Sequence, residues 1–304
     1  MMRFLKAGFD AAMRYKGVAL LLFGVHLVLA YVLTQPLYHA LDEVVSGTGF
    51  SMDLSQGFDL VLWVEIWETF GPAVYGFLGQ LWWVVLLIGV WKAVSSVGVL
   101  HALYREHGAF FWSGLGQHGG RALSVALLFL LAACVWIGLV LFVGTVIAVA
   151  VGTEVGIFWT AFVVMPTLLI SGLAVLDLMH DYARAGLVVE RWTVGQAFRR
   201  GIGWPFRHGM ASLLYVAWFV VALLVLALPF LLESWLPAYG KGTAWLRFGL
   251  QQGVFLLRAF VTVAWFGTTL AFFEHIQRKN AVLIAETPPP SPESPAMPDD
   301  PSLV

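Results

Sequence analysis

The chain has a single cysteine, Cys134, and it lies within a long apolar stretch. One cysteine cannot close an intramolecular disulfide or build a cysteine-based metal site. We interpret Cys134 as a small apolar side chain of a membrane helix. The scarcity of cysteine therefore excludes a disulfide-stabilised fold.

Charged residues are also scarce, at 12% of the chain, whereas hydrophobic residues make up 60%. A soluble domain carries about 25% charged residues, and the stretches between the apolar ones are at most about 30–40 residues long. The net charge of −1 says nothing about nucleic acid, because the distribution of charge is what matters here. We expect neither a sizeable soluble domain nor a nucleic-acid partner.

What is abundant is uninterrupted apolar sequence, and the mean hydropathy is +0.84. About 20 apolar residues cross the hydrocarbon core of a bilayer, and in lipid they must be helical because no water satisfies unpaired backbone groups. Spans are predicted at residues 17–34, 74–92, 122–150, 158–179, 210–232 and 250–273. We predict an all-α integral membrane protein whose six transmembrane helices form three hairpins.

The transmembrane domain is predicted at residues 1–285, with an outer loop at 35–73 whose second half, Phe58–Phe70, is predicted to be a helix at the outer interface. The first span is interpreted as a retained signal anchor, because its apolar run is longer than that of a cleaved signal peptide. Residues 286–304 are rich in proline and poor in apolar residues other than at the very end. We expect them to form a disordered cytoplasmic tail.

Lysine and arginine gather at alternate ends of the spans, thirteen on one side of the membrane against two on the other. Cytoplasmic loops carry the excess of these residues, so both termini are predicted to lie in the cytoplasm. The outer loop is acidic and contains no lysine or arginine.

A glycine-containing pattern occurs at 108–116 and again at 195–203, and a fainter copy opens the chain at 4–9. Each copy precedes a span. The repeat predicts three units, each with a short amphipathic helix on the cytoplasmic surface, a span outward and a span back. The glycines, including those of a G-x-G-x-x-G match at 114–119, are expected to let the chain turn from surface helix into span.

The basic residues of the last copy are candidates for contact with lipid headgroups. Arg199, Arg200 and Arg207 are expected to face anionic headgroups, while Phe198, Trp204 and Phe206 enter the acyl boundary.

Three charged residues lie within or near spans and define a candidate polar site: Lys92, Asp177 and Arg258. Lys92 and Asp177 are predicted to form a bridge between repeats. Asp177, Asp181 and Arg184 have the spacing of one helix face, which is expected to meet protein. Arg258 has two interpretations, a side chain that snorkels to the outer surface or part of a substrate or ion site.

Metal and catalytic signatures are weak. Six of the eight histidines lie on the predicted cytoplasmic side: His101, His107, His118, His180, His208 and His275. None belongs to a spaced ligand pair such as H-E-x-x-H, and His26, which lies clearly within a span, has no catalytic partners nearby in sequence. We expect no metal, no cofactor and no enzymatic activity.

The segment Asp181-Tyr-Ala-Arg184, followed by Leu187-Val-Val-Glu190-Arg191 and a basic helix before the fifth span, resembles uncharacterised six-span bacterial membrane proteins. It is also similar to the multi-pass membrane region associated with glycerophosphodiester phosphodiesterases. The resemblance does not extend to the catalytic barrel of those enzymes. It implies a location in the bacterial cytoplasmic (inner) membrane and no established activity.

Two functions are therefore left open. The first is a non-enzymatic inner-membrane protein that supports a membrane process through contacts with membrane lipids or with a membrane or cytoplasmic protein partner. The second is a transporter or permease subunit with a polar site around Lys92, Asp177 and Arg258. The two differ in whether these side chains converge on a hydrated cavity.

Overall fold

The structure, a computed structural model, describes residues 1–48, 60–104, 110–233 and 241–286, and within these ranges the chain is helical apart from short connections. The helices are α1 (Met2–Arg14), α2 (Lys16–Thr48), α3 (Leu60–Tyr104), α4 (Phe111–Val151), α5 (Glu154–Trp159), α6 (Met165–Val189), α7 (Val194–Arg207), α8 (Gly209–Glu233) and α9 (Lys241–Glu286). A single π-helical turn, Thr160–Val164, joins α5 to α6. The predicted all-α class is confirmed.

Five stretches of helix in the described residues are long and apolar enough to cross a membrane: Leu86–Tyr104, Phe111–Val151, Glu154–Val189, Gly209–Leu232 and Trp245–Val282. A sixth is possible if α1 and the first half of α2, which meet at an angle of 71°, count as one bent span. Five to six such helices agree with the prediction of a multi-pass membrane protein.

Much of the predicted outer loop is helical. α2 continues from the first predicted span to Thr48, and α3 begins at Leu60, well before the second predicted span. Hydropathy marks where a helix leaves lipid, whereas the helix itself continues as long as its backbone hydrogen bonds do. At 1.5 Å per residue α3 is about 68 Å long, roughly twice the thickness of the hydrocarbon core. Residues 49–59 and the predicted tail from residue 287 lie outside the described part of the chain.

The centre of the bundle is formed by α3, α6 and α9, which all contact one another. Each is buried almost continuously over one stretch, at residues 93–103, 178–188 and 263–273. A helix that is apolar and buried on all sides belongs to the interior of a protein. α2, α4 and α8 pack outside these three, and α4 and α8 expose many large apolar side chains, as expected for surfaces that face lipid.

Three glycines allow close helix crossings at one end of the bundle. A methyl group at Gly8 of α1 would overlap the Thr268 hydroxyl of α9, and one at Gly114 of α4 would overlap His101 of α3. At Gly201 of α7 it would lie 2.8 Å from the Cβ of Ala183 on α6. The basic, amphipathic segments of the three sequence copies thus each pack on a different central helix. We call this the basic end of the bundle.

The prediction that glycines turn the chain from surface helix into span is wrong for the second copy. α4 runs without a break from Phe111 through Gly114–Gly119 into its apolar part. Gly114 and Gly119 instead face α3, which they approach through His101 and Val94. Because glycine lacks a Cβ, it serves here to bring two helix backbones together. After the other two copies the helix does break, at Tyr15 and at His208, several residues beyond the repeated pattern.

Candidate functional site

The most deeply buried charges form an ion pair on α6, near the basic end. Arg184 is 2% exposed and Asp181 is 3% exposed, and the Arg184 guanidinium donates to Asp181 Oδ1 from one turn away. Trp265 Nε1 of α9 donates to the other carboxylate oxygen at 2.8 Å. The Arg184 guanidinium also lies 5.3 Å from the Phe266 ring centroid. Pairing is required because a lone charge buried at this depth would be strongly destabilising.

Asp177 lies one turn away on the same face of α6. Its Oδ2 accepts a hydrogen bond of 3.1 Å from the Tyr215 hydroxyl of α8. The Tyr215 ring meets the Trp265 ring edge to face, with centroids 4.9 Å apart. Asp177, Asp181, Arg184, Tyr215 and Trp265 are the buried polar cluster, which joins α6 to α8 and α9. The predicted shared face of the three charged residues therefore meets protein at Asp181 and Arg184.

Lys92 does not form the predicted bridge with Asp177. Its side chain is exposed on α3, within electrostatic range of His180 and Asp181, and it makes no ion pair with Asp177 within 4.0 Å. The Asp177 carboxylate takes its hydrogen bond from Tyr215 instead. The His180 ring stacks on Phe129 with centroids 5.0 Å apart. Lys92 thus lies beside the buried polar cluster without entering it.

Arg258 forms no ion pair with Asp177 within 4.0 Å. It is exposed on α9, and the Thr262 hydroxyl donates to its backbone carbonyl oxygen at 2.9 Å. Sixteen residues separate Arg258 from Glu274 at the basic end, which places them about 24 Å apart along the helix axis. No salt bridge therefore links the three residues of the predicted polar site.

The three candidate headgroup-binding arginines of α7, Arg199, Arg200 and Arg207, are all exposed. Arg200 is also held at 3.5 Å from the Glu190 carboxylate and at 5.2 Å from the Trp192 ring centroid. The opposite face of α7 is buried along Ala197, Gly201, Trp204 and Pro205. The helix therefore presents a basic face away from the bundle.

The aromatic residues of α7 are divided between protein and surroundings. Phe206 is 74% exposed, as expected for a side chain that enters the acyl boundary. The same expectation is wrong for Trp204, which is buried and stacks on Tyr182 and Phe273 with centroid distances of 5.8 and 4.6 Å. Phe198 is half-buried and packs against Phe129. Trp204 follows Ala197 and Gly201 at i+7 and i+3, so it lies on the face that α7 turns toward α6.

Glu190, at the end of α6, is a junction that the sequence did not single out. Its carboxylate accepts hydrogen bonds from Trp192 Nε1 and Gln277 Nε2, as well as from Arg200. These donors come from three segments of the chain. Arg191 follows in the left-handed region at φ 55°, which lets the chain reverse from α6 into α7.

Among the described residues outside the spans, His208 at the basic end has a shifted pKa. Burial lowers the pKa of His208, and the cations of Arg207 and Lys279 lower it further. A lowered pKa keeps this imidazole neutral near pH 7. The positive charge of α7 therefore comes from its arginines.

A cavity of about 920 Å³ opens at the basic end between α1, α9 and the ends of α3 and α6. Its lining combines apolar residues, among them Leu103, Val189, Leu270 and Ala271, with four charged ones that we call its rim: Asp10, Arg14, Glu274 and Arg278. We call it the basic-end groove. Sequence reasoning missed it because its wall residues come from four separate helices.

No three histidine, cysteine, aspartate or glutamate side chains in the described ranges lie close enough together to hold a metal ion. Comparisons of the chain with protein-family models, curated proteins and solved structures found no match.

Proposed function

We propose that this chain is a non-enzymatic protein of the bacterial cytoplasmic (inner) membrane that supports a membrane process through contacts at its basic end. The observation that carries this proposal is the exposed face of α7, where three arginines lie beside the exposed Phe206 while the opposite face is packed on the bundle. Arginine next to an exposed aromatic side chain suits the boundary between anionic headgroups and acyl chains. Membrane lipids are the first partner, and a membrane or cytoplasmic protein is the second.

The proposed topology is three hairpins with both termini in the cytoplasm and the basic segments on the cytoplasmic surface. Its support is the thirteen-to-two distribution of lysine and arginine. The glycine crossings add to it, because α1 packs on α9, the start of α4 packs on α3, and α7 packs on α6. The basic segments of the second and third proposed units thus each pack on the returning helix of the unit before. The basic segment of the first unit, α1, packs on α9, the returning helix of the third unit. The resemblance to six-span bacterial proteins supports the choice of membrane.

The contacts of the charges in the buried polar cluster favour a structural role over a catalytic one. The Asp181 carboxylate accepts from Arg184 and Trp265, and the Asp177 carboxylate accepts from Tyr215. Hydrogen bonds of this kind between helices hold the bundle together.

Lipid binding by α7 is tested in the full-length protein by changing Arg199, Arg200 and Arg207 together to glutamine. Each basic residue near an anionic surface contributes about 1 kcal/mol, so we expect several-fold less anionic lipid to copurify with the glutamine variant. The matched control changes the same three residues to lysine, which keeps the charge. Equal anionic lipid in wild type and the glutamine variant, measured by native mass spectrometry, would contradict the proposal.

A transporter or permease subunit remains the second candidate, favoured by charged residues within the helix Glu154–Val189, which is long and apolar enough to span a membrane. A transport path would have to bring water to Asp177. In a Cys134→Ser background, a cysteine at Asp177 should then react with a membrane-impermeant thiol reagent. The lipid-contact proposal expects no reaction there, because the residue packs against α8.

A further inference from the structure

The basic-end groove differs from the α7 surface in its balance of charge. Asp10 and Arg14 lie one turn apart on α1, and Glu274 and Arg278 lie one turn apart on α9. Arg278 Nη2 is 3.4 Å from Glu274 Oε2. Each wall of the groove therefore contributes one carboxylate and one guanidinium.

Among the lining residues that the structure describes, carboxylates and guanidiniums are equal in number, which selects against ligands of one sign. A purely anionic group in the groove would lie near two carboxylates, and a purely cationic group would lie near two guanidiniums. A ligand that carries both a phosphate and an ammonium meets a complementary group at each of its charges. Arginine is well suited to phosphate oxygens, and carboxylates accept from the N–H groups of a primary ammonium.

Part of the groove's lining is apolar. Leu103 and Leu270 line the groove and are buried. On α1, Phe9 and Met13, which precede the lining residues Asp10 and Arg14 in sequence, are exposed. Tyr15 and Tyr104 also line the cavity, and a phenol can donate a hydrogen bond to a phosphate oxygen. The lining thus combines charged and apolar surface, which suits a headgroup with the beginning of its acyl chains.

We propose that the basic-end groove binds a zwitterionic phospholipid whose headgroup carries a phosphate and a primary ammonium, as in phosphatidylethanolamine. The phosphate lies between Arg14 and Arg278, the ammonium lies between Asp10 and Glu274, and the glycerol end contacts the apolar part of the lining. This assignment names a lipid for the proposed lipid-contact function. It rests on that function, which places the basic end of the bundle at the membrane surface. The groove volume of about 920 Å³ falls within the range of known ligand sites.

The test is a titration of the purified full-length protein in detergent, followed by native mass spectrometry. The probes are phosphatidylethanolamine, phosphatidylglycerol and phosphatidylcholine of equal chain length, and soluble glycerophosphoethanolamine. We expect phosphatidylethanolamine to bind at least about fivefold more tightly than the other two lipids, because phosphatidylcholine has no N–H donors and phosphatidylglycerol has no ammonium. Equal binding of the three lipids would overturn the proposal. If soluble glycerophosphoethanolamine bound as tightly as phosphatidylethanolamine, the assignment of the ligand to a membrane lipid would be overturned.

Variants at the rim separate this site from the α7 surface. Asp10→Asn combined with Glu274→Gln should remove most of the preference for phosphatidylethanolamine over phosphatidylglycerol, whereas the matched change Glu154→Gln at the opposite end should leave it intact. If the double variant does not fold, the single variant Asp10→Asn, at an exposed position, is used to measure the same preference. An unchanged preference in a folded rim variant contradicts the proposal.

The two lipid proposals fail in distinguishable ways. Replacing the three α7 arginines with glutamine should lower the amount of bound anionic lipid and leave the phosphatidylethanolamine preference unchanged. Loss of that preference in the α7 variant would place the zwitterionic lipid on α7 and overturn its assignment to the groove.

Discussion

At the scale of single residues, the chain pairs its deeply buried charges with each other inside the protein. Arg184 is among its largest fully buried side chains, and it lies beside Asp181 with aromatic rings around both. The local spacing of Asp177, Asp181 and Arg184 was enough to place them on one helix face. Their partners Tyr215 and Trp265 were not predictable, because they lie 38 and 84 residues away in sequence from the groups they contact.

The pair gives a prediction for stability. Arg184→Met leaves Asp181 buried without its cation, and breaking such a pair costs about 3–5 kcal/mol. The double variant Asp181→Asn with Arg184→Met should recover part of this loss, because no uncompensated charge remains. As a control, Arg278→Gln at an exposed pair should change stability by less than about 1 kcal/mol. The measurement is unfolding in detergent, and strictly additive losses in the double variant would argue against the pair.

For Arg258, in contrast to Arg184, we predict that a substitution has no effect on stability. It is exposed, and its distance from the basic end of α9 corresponds to most of the thickness of the hydrocarbon core. A side chain near the far surface can snorkel, and lysine does so as well as arginine. We expect Arg258→Lys to leave both the melting temperature and the cellular function unchanged. Loss of function in a folded Arg258→Lys protein would instead indicate a site that needs guanidinium geometry, as in a transporter.

At the scale of helices, close glycine crossings fix how the amphipathic segments attach to the bundle. The repeated sequence pattern located these segments, but it did not show that their glycines face other helices. Glycine is compatible with both a turn and a close crossing, and only packing distinguishes the two. The unbroken α4 shows that a surface segment and a span can share one helix.

The crossing of α1 with α9 gives the third prediction. A methyl group at Gly8 would clash with the backbone carbonyl of Ala264 as well as with Thr268. Because one of these contacts is with backbone, the clash can be relieved only if α1 or α9 moves. Gly8→Ala should therefore destabilise the protein by about 1–3 kcal/mol. Gly24→Ala in α2 is the control, because nothing beyond its chain neighbours and its own helix backbone lies within 4 Å of its added Cβ. A melting temperature for Gly8→Ala that equals or exceeds that of Gly24→Ala would show that α1 does not pack as described.

At the scale of the whole molecule, apolar length and periodicity were sufficient to predict an all-helical chain with several membrane-spanning helices. They were not sufficient to predict helix ends, since α2 and α3 continue far beyond the apolar runs they contain. They also gave no indication of the basic-end groove, which exists only because α1 and the ends of α3 and α6 meet beside α9.

The central claim is that the basic end of the bundle faces the cytoplasm, where its lipid-binding surfaces meet the inner leaflet. The most direct measurement uses single cysteines in a Cys134→Ser background, at Lys6 on α1 and at Glu154 beyond the far end of α4. Both positions are exposed. With a membrane-impermeant thiol reagent, we predict labelling of the Lys6 position only in inverted vesicles and of the Glu154 position only in intact spheroplasts. Labelling of the Lys6 position in intact spheroplasts, or of both positions from the same side, would contradict the claim.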